Sequence, residues 1–242
     1  MAIPRFYCPA ELATGAMVAL PAQAAHHAAR VLRLEIGDRV TLFNGKGGEC
    51  EARLARIGKQ DAVAEILAWH EVERESVLQV TLAQAVSAGE KMDFTLQKAV
   101  ELGIGAIQPL TSERSVVRLT GERAEKRVAH WQGVAVAACE QCGRNRIPQV
   151  APLEALPTWL SEQQTGLRLI LSPEADQGLR DLPRPTEPVT LLVGPEGGFS
   201  QGEIEAALRR GFTPVRLGPR ILRTETAALT MLAAMQALWG DF

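Results

Sequence analysis

The run Gly194-Pro195-Glu196-Gly197-Gly198 is the part of this sequence best suited to hold a small ligand. An apolar stretch, Val189 to Val193, leads into it. Beyond it, Ser200 followed by Glu203 forms a capping box, and Ile204, Ala207 and Leu208 supply a helical apolar face. The order is therefore strand, glycine loop, helix. Three glycines and a proline let backbone N–H and C=O groups approach a ligand without intervening side chains, as reading an adenine edge or a ribose requires. A tight βα turn with no ligand is the plainer alternative, and it would suffice for a lone glycine pair but not for five such residues together. Neither G-x-G-x-x-G nor G-x-x-x-x-G-K-[ST] occurs, so the ordinary dinucleotide and P-loop readings lack their motifs.

Two further loops have the same character. Arg168 to Leu171 runs into Ser172-Pro173-Glu174, and Val215 to Leu217 runs into Gly218-Pro219-Arg220. In open α/β sheets ligands bind outside the carboxyl ends of the strands, so three such loops are expected to wall one pocket. Five arginines and no acid lie between Arg209 and Arg223, which reads as an anion-facing surface. From Arg114 to Arg146 there are seven basic residues against three acidic ones. Within that stretch Arg123 to Arg127 read as a solvated helix face. The net charge of −2 carries no nucleic-acid signal of its own, so any such surface must arise from local clustering.

Cys139 and Cys142 form a C-x-x-C pair, a spacing that suits zinc or a redox dithiol. The residues Val128, Trp131, Ala135, Ala138 and Cys142 recur at steps of three and four, which places Cys142 on the apolar stripe of a helix from about Gly121. A buried structural thiol is the reading adopted, with no metal, since no second Cys or His pair stands close in sequence.

These loops need elements to position them. Before residue 72, short β-like runs (Met17 to Leu20, Arg39 to Phe43, Glu49 to Ile57, Ala62 to Trp69) surround one helical segment, and Asn44-Gly45 signals a hairpin turn. A small β-barrel-like domain is expected there, with boundaries 1–72. After it, Leu78 to Val86, a helix from Met92 to Leu102, Ile107 to Leu110 and the helix from Gly121 alternate, which predicts an α/β domain with a parallel sheet over 73–242. Pro148 to Pro157 and Pro183 to Pro188 read as connections. With 46% hydrophobic residues the chain can bury substantial cores, and no stretch is apolar for long enough to span a bilayer. The opening MAIPRFYCPA lacks the pattern of a secretory signal, so a cytoplasmic location is expected.

GPEGGFS at 194–200, followed by LGPRILRTETA at 217–227, resembles the motifs of the SPOUT superfamily, specifically 16S ribosomal RNA uridine-N3 methyltransferases of the RsmE type. PRFY at 4–7, HHAARVLRL at 26–34, QKAVELGIGAIQPLTSERSV at 97–116 and EQCGRNRIP at 140–148 are similar to the same family's segments, so the likeness spans the whole chain. The resemblance implies a PUA-like or OB-like RNA-binding β-barrel joined to a catalytic domain with a deep trefoil knot. It also implies S-adenosylmethionine as cofactor, a homodimer, and 16S rRNA in the small ribosomal subunit as substrate. On this likeness Leu171, Ser172, Gly194, Glu196, Gly197, Gly198, Leu217, Ile221, Leu222 and Arg223 are the expected cofactor contacts.

Methylating N3 of uracil requires loss of its proton, so either a base accepts it or cations stabilise the anionic ring. Glu196 and Glu225 are the candidate bases, and Arg220 and Arg223 the candidate stabilisers. Glu225, at the start of the last helix, equally suits the helix dipole alone. Arg5, His26, Arg30, Arg33, Arg114, Ser115, Arg144 and Arg146 are the expected RNA contacts, although a solvated helix face also accounts for His26, Arg30 and Arg33. Three other functions fit parts of the pattern: a related methyltransferase acting on transfer RNA or the large subunit, a non-catalytic ribosome-associated RNA-binding module, and a nucleotide-binding metabolic enzyme.

Overall fold

The computed structural model describes residues 3–58, 61–162 and 165–242. The chain divides into two compact units, one formed by 1–75 together with 139–147, the other by 76–138 and 148–242.

In the first unit β1 (Arg5–Tyr7), β2 (Met17–Ala19), β3 (Arg39–Phe43), β4 (Glu49–Ile57) and β5 (Ala62–His70) form one sheet in the order β1-β3-β4-β5-β2. Only the β1–β3 ladder is parallel. Alternation drives it: Cys50, Ala52 and Leu54 of β4 and Ala62, Ala64 and Ile66 of β5 point inward. They meet Phe6, Val40, Leu42 and Ala24 and Ala25 of the short helix α1 (Ala22–His26) in a single core. α1 continues as a π-helical turn, His27–Val31, and Arg33 ends it in the left-handed region at φ 53°. The Asn44-Gly45 turn signal falls between β3 and β4, where Asn44 Oδ1 accepts from the Lys46 N–H at 3.0 Å.

The second unit is built on β6 (Val80–Ala85), β7 (Ala106–Thr111), β8 (Gln149–Val150), β9 (Glu154–Ala155), β10 (Leu167–Leu171), β11 (Val189–Val193) and β12 (Thr213–Val215). The order is β12-β10-β11-β6-β7-β8, with β9 also on β7, and every ladder is parallel. β11 is buried along its whole length, as a strand covered on both faces must be. The helices are α2 (Lys91–Glu101), α3 (Gly121–Cys142), α4 (Leu156–Ser161), α5 (Gln201–Arg209) and α6 (Thr224–Trp239). Ser200 and Glu203 make the predicted capping box on α5: Ser200 Oγ accepts from Glu203 N–H at 3.3 Å, and Glu203 Oε2 accepts from Ser200 N–H at 2.8 Å.

Two local expectations require correction. The strand placed at Val215 to Leu217 lies two residues earlier, and it holds Pro214, which is tolerated because β12 is at the sheet's edge. The stretch Pro148 to Pro157, read as a plain connection, contains β8, β9 and the start of α4.

Candidate functional site

The three loops anticipated at strand ends come together. They follow β10, β11 and β12 at their carboxyl ends and line one cleft of about 660 Å³. A cleft of that volume suits a ligand of cofactor size. Its wall includes every residue expected to touch a cofactor: Leu171, Ser172, Gly194, Glu196, Gly197, Gly198, Leu217, Ile221, Leu222 and Arg223. Arg220 and Arg114 also line it, as do Lys91, Val193, Phe199 and Val215. The wall is thus apolar at the strand ends, and its exposed part carries Lys91, Arg114, Arg220 and Arg223 against Glu174 and Glu196.

The glycine loop is shaped by its own turn. Gly198 N–H donates to the Pro195 carbonyl at 2.9 Å, which puts Gly198 at φ +67°. Gly218, in the facing loop, has φ +70°. A Cβ at either position would meet no protein atom within 4 Å, so both glycines present bare backbone to open space.

Outer contacts hold this loop to its neighbours. Glu196 Oε1 accepts from the Ala88 N–H at 3.0 Å and from Lys91 Nζ at 3.1 Å. Arg114 donates to the Gly197 carbonyl at 3.1 Å. Burial acts to raise the Glu196 carboxyl, but the N–H groups of Ala88 and Glu196 itself, together with Lys91, outweigh it and hold it below the usual carboxylate range. Three donors that favour the charged form make Glu196 a weaker base than a free carboxylate. Its geometry is that of a latch. The cleft wall includes Thr224 and Ala227 but not Glu225, one of whose carboxyl oxygens, Oε2, is buried without a hydrogen-bond partner.

Of the five arginines between Arg209 and Arg223, Arg220 and Arg223 reach the cleft wall. Arg209 instead pairs with Glu205 along α5 at 3.9 Å.

The residues expected to contact RNA divide sharply. His26, Arg30 and Arg33 are exposed on and just after the first unit's helical segment. Arg146 is exposed too, though its guanidinium bonds Glu73 at 2.6 Å. Arg5 and Arg144 are turned inward, which corrects their assignment. Arg5 Nη1 bonds Glu49 at 2.6 Å and its Nη2 bonds Asn145 Oδ1 at 2.6 Å, while the group lies over the Phe43 ring. Arg144 is buried in a two-point pair with Glu75. Ser115 is buried as well, and its hydroxyl closes a turn by accepting from Ser112 N–H at 3.1 Å.

The thiols also differ from expectation. Cys139, not Cys142, is the fully buried member of the pair, and burial pushes its thiol up to about 12. A thiol so hard to ionise is a poor metal ligand or nucleophile. Among the described residues no group of three or more His, Cys, Asp or Glu is placed to hold a metal, and no helix is long and apolar enough to cross a membrane.

Lys91 and Thr224 line the cleft and were missed from sequence, as was Gln84, which bonds Thr224. Gln84 had left a signal, a polar side chain inside the apolar run Leu78 to Val86. Lys91 had none, because its partner Glu196 lies 105 residues away.

Two family models match the chain. The family described as an RNA methyltransferase domain matches residues 74–236, and the family described as an RNA methyltransferase PUA domain matches residues 20–67. Ribosomal RNA small subunit methyltransferase E of Buchnera aphidicola subsp. Schizaphis graminum is 35% identical over 99% of this chain and 98% of its own. The protein of that name from Bacillus subtilis is 31% identical over 89% and 90%. Among solved structures, ribosomal RNA small subunit methyltransferase E from Neisseria gonorrhoeae bound to S-adenosylmethionine is 46% identical, with a TM-score of 0.93 over the whole of both chains. A Legionella pneumophila protein in complex with S-adenosylmethionine as its bound cofactor is 42% identical, with a TM-score of 0.97 over the whole of both.

Proposed function

This chain belongs to the ribosomal RNA small subunit methyltransferase E family, and from that premise we propose that it uses S-adenosylmethionine to methylate N3 of a specific uridine in 16S rRNA of the assembled small subunit. One observation carries the reading: three glycine- and proline-bearing loops at the carboxyl ends of parallel strands enclose a cleft with Arg220 and Arg223 in its wall. The residues present fit the cofactor. Gly198 and Gly218 leave backbone open to the cleft, Leu171, Val193, Val215 and Leu217 give it an apolar floor, and the cleft volume is ample. When bound there, S-adenosylmethionine supplies a methyl group on a sulfonium, a good leaving group.

The protein's part is alignment, exclusion of water and charge stabilisation. Backbone groups of Gly194 to Gly198 and Leu217 to Leu222 hold the cofactor. Arg223 and Arg220 stabilise the negative charge that develops on the uracil ring as the N3 proton leaves. Glu196 is held as a latch and Glu225 is outside the cleft wall, so the N3 proton passes to solvent water and the two arginines stabilise the anion that it leaves.

His26, Arg30, Arg33, Arg114 and Arg146 remain as RNA contacts in this reading, with 1–72 serving as the RNA-binding domain and 73–242 as the catalytic one, although 139–147 pack with the first unit. The trefoil knot implied by the resemblance belongs to it as well, with the cleft loops as its threaded part. So does a homodimer in a cytoplasmic setting. Phe94 on α2 and Leu238 on α6 support the dimer, since these two helices pack together and both side chains are half exposed.

Transfer of radiolabelled methyl from S-adenosylmethionine to separated RNA fractions tests the reading. Label confined to small subunits is expected. Label in transfer RNA or the large subunit would reassign the target, and cofactor binding without any transfer would replace the enzyme with a binding module.

A further inference from the structure

Gln84 is 1% exposed in the middle of an apolar sheet, and Thr224, at the head of α6, is 7% exposed. Buried polar side chains of this kind are retained for the bonds they make. Gln84 Nε2 donates to the Thr224 hydroxyl at 3.1 Å and to the Ala85 carbonyl at 3.0 Å, and lies 3.5 Å from the Gly194 carbonyl. Thr224 Oγ1 donates to that same Gly194 carbonyl at 2.6 Å. The directions are forced. The two carbonyls require the NH₂ side of the amide, the amide nitrogen can only donate, and so the threonine hydroxyl accepts from it and gives its own proton to Gly194.

This bracket joins three things that are far apart in sequence: the end of β6, the first residue of the glycine loop, and the residue after Arg223. Gly194 is followed by Pro195, whose ring fixes φ. Holding the Gly194 carbonyl from below therefore sets the direction in which the rest of the loop leaves the sheet. Holding Thr224 sets where Arg223 enters the cleft. The loop's other ties, Glu196 to Ala88 and Lys91 and Arg114 to Gly197, lie on the solvent side, where ion pairs and hydrogen bonds contribute little.

We propose that Gln84 and Thr224 are positioning residues for the methyl donor, fixing the glycine loop and Arg223 relative to each other through the Gly194 carbonyl. The proposal rests on the reading that the cleft holds S-adenosylmethionine. Neither side chain need touch the reacting atoms.

The test compares Thr224→Val, which keeps the shape and removes the hydroxyl, with Thr224→Ser, which keeps the hydroxyl, and adds Gln84→Met. Calorimetry gives the Kd for S-adenosylmethionine, methyl transfer to small subunits at saturating cofactor gives the KM for RNA, and thermal unfolding reports the fold. Thr224→Val and Gln84→Met are expected to weaken cofactor binding roughly tenfold while the KM for RNA stays at the wild-type value. Thr224→Ser is expected within about twofold of wild type. A merely structural role would not spare the RNA KM or be rescued by serine. Wild-type affinity in both Thr224→Val and Gln84→Met, or failure of Thr224→Ser to restore binding, overturns the proposal. If both apolar variants lose the folded state, the bracket is a scaffold of the sheet and the proposal also fails. Absence of cofactor binding by the wild-type protein would instead sink the assignment of the cleft.

Discussion

Replacing Glu49 by glutamine removes the one charge on which the first unit's polar hub converges. A single oxygen of Glu49, Oε2, receives Arg5 at 2.6 Å, Arg74 at 3.0 Å and Asn145 Nδ2 at 3.2 Å. Asn145 Nδ2 also donates to the Val72 carbonyl at 2.8 Å, and Arg5 reaches the Gly143 carbonyl at 3.1 Å. The carboxylate thereby fastens residues 143–145 to β1 and β4. Burial alone would raise its pKa, but the hydrogen bonds from Arg74, Arg5 and Asn145 bring it down from 4.5 to about 2. At about 1.4 kcal/mol per unit, that shift corresponds to about 3 kcal/mol of folding stability. The folded pKa is depressed, so this stabilisation is complete above the unfolded value of 4.5 and is lost as pH falls through about 2. Glu49→Gln is accordingly expected to lower the unfolding free energy by about 3 kcal/mol at pH 7, with the gap to wild type closing between pH 4.5 and pH 2. Urea titrations followed by circular dichroism across that range measure it. Equal stability at pH 7, or a gap that does not change with pH, would refute the electrostatic account of the hub.

Arg223→Ala should reduce turnover with small subunits by roughly 10²-fold or more at saturating cofactor, the scale of one lost charge-stabilising group, without a change in thermal unfolding. Glu196→Ala should act differently, raising the Kd for S-adenosylmethionine severalfold through the freed loop; and because Glu196 stays ionised, the pH–rate profile of Glu196→Gln should keep the wild-type shape. Ser200→Ala removes the α5 cap and should cost about 1 kcal/mol of stability by urea unfolding. Gly198→Ala, at φ +67° with open space around the added carbon, should cost about 1–2 kcal/mol for the left-handed backbone alone and weaken cofactor binding by intruding on the cleft.

Patterns local in sequence were readable in this chain. The alternation of β4 and β5 and the capping box of α5 depend on neighbours a few residues apart, and these elements lie where the sequence places them. The glycine loop was likewise visible because its residue types are special in themselves. What escaped were features decided by distant partners. Arg5 and Arg144 look like free cations in sequence; the acids that turn them inward, Glu49 and Glu75, stand 44 and 69 residues away. β1 has three residues and one buried apolar side chain, Phe6, and owes its existence to a parallel ladder with β3. The Gln84–Thr224 contact spans 140 residues, and no periodicity encodes it. The family resemblance supplied the cofactor, which strand and helix patterns do not contain.

The most direct test of the central claim is the identity of the methylated nucleoside. Small subunits from cells lacking this enzyme, incubated with the purified protein and radiolabelled S-adenosylmethionine, are digested and their nucleosides separated. The account predicts label in 3-methyluridine from 16S rRNA, lost in Arg223→Ala. Label in any other nucleoside, or none under conditions where the cofactor binds, would contradict it.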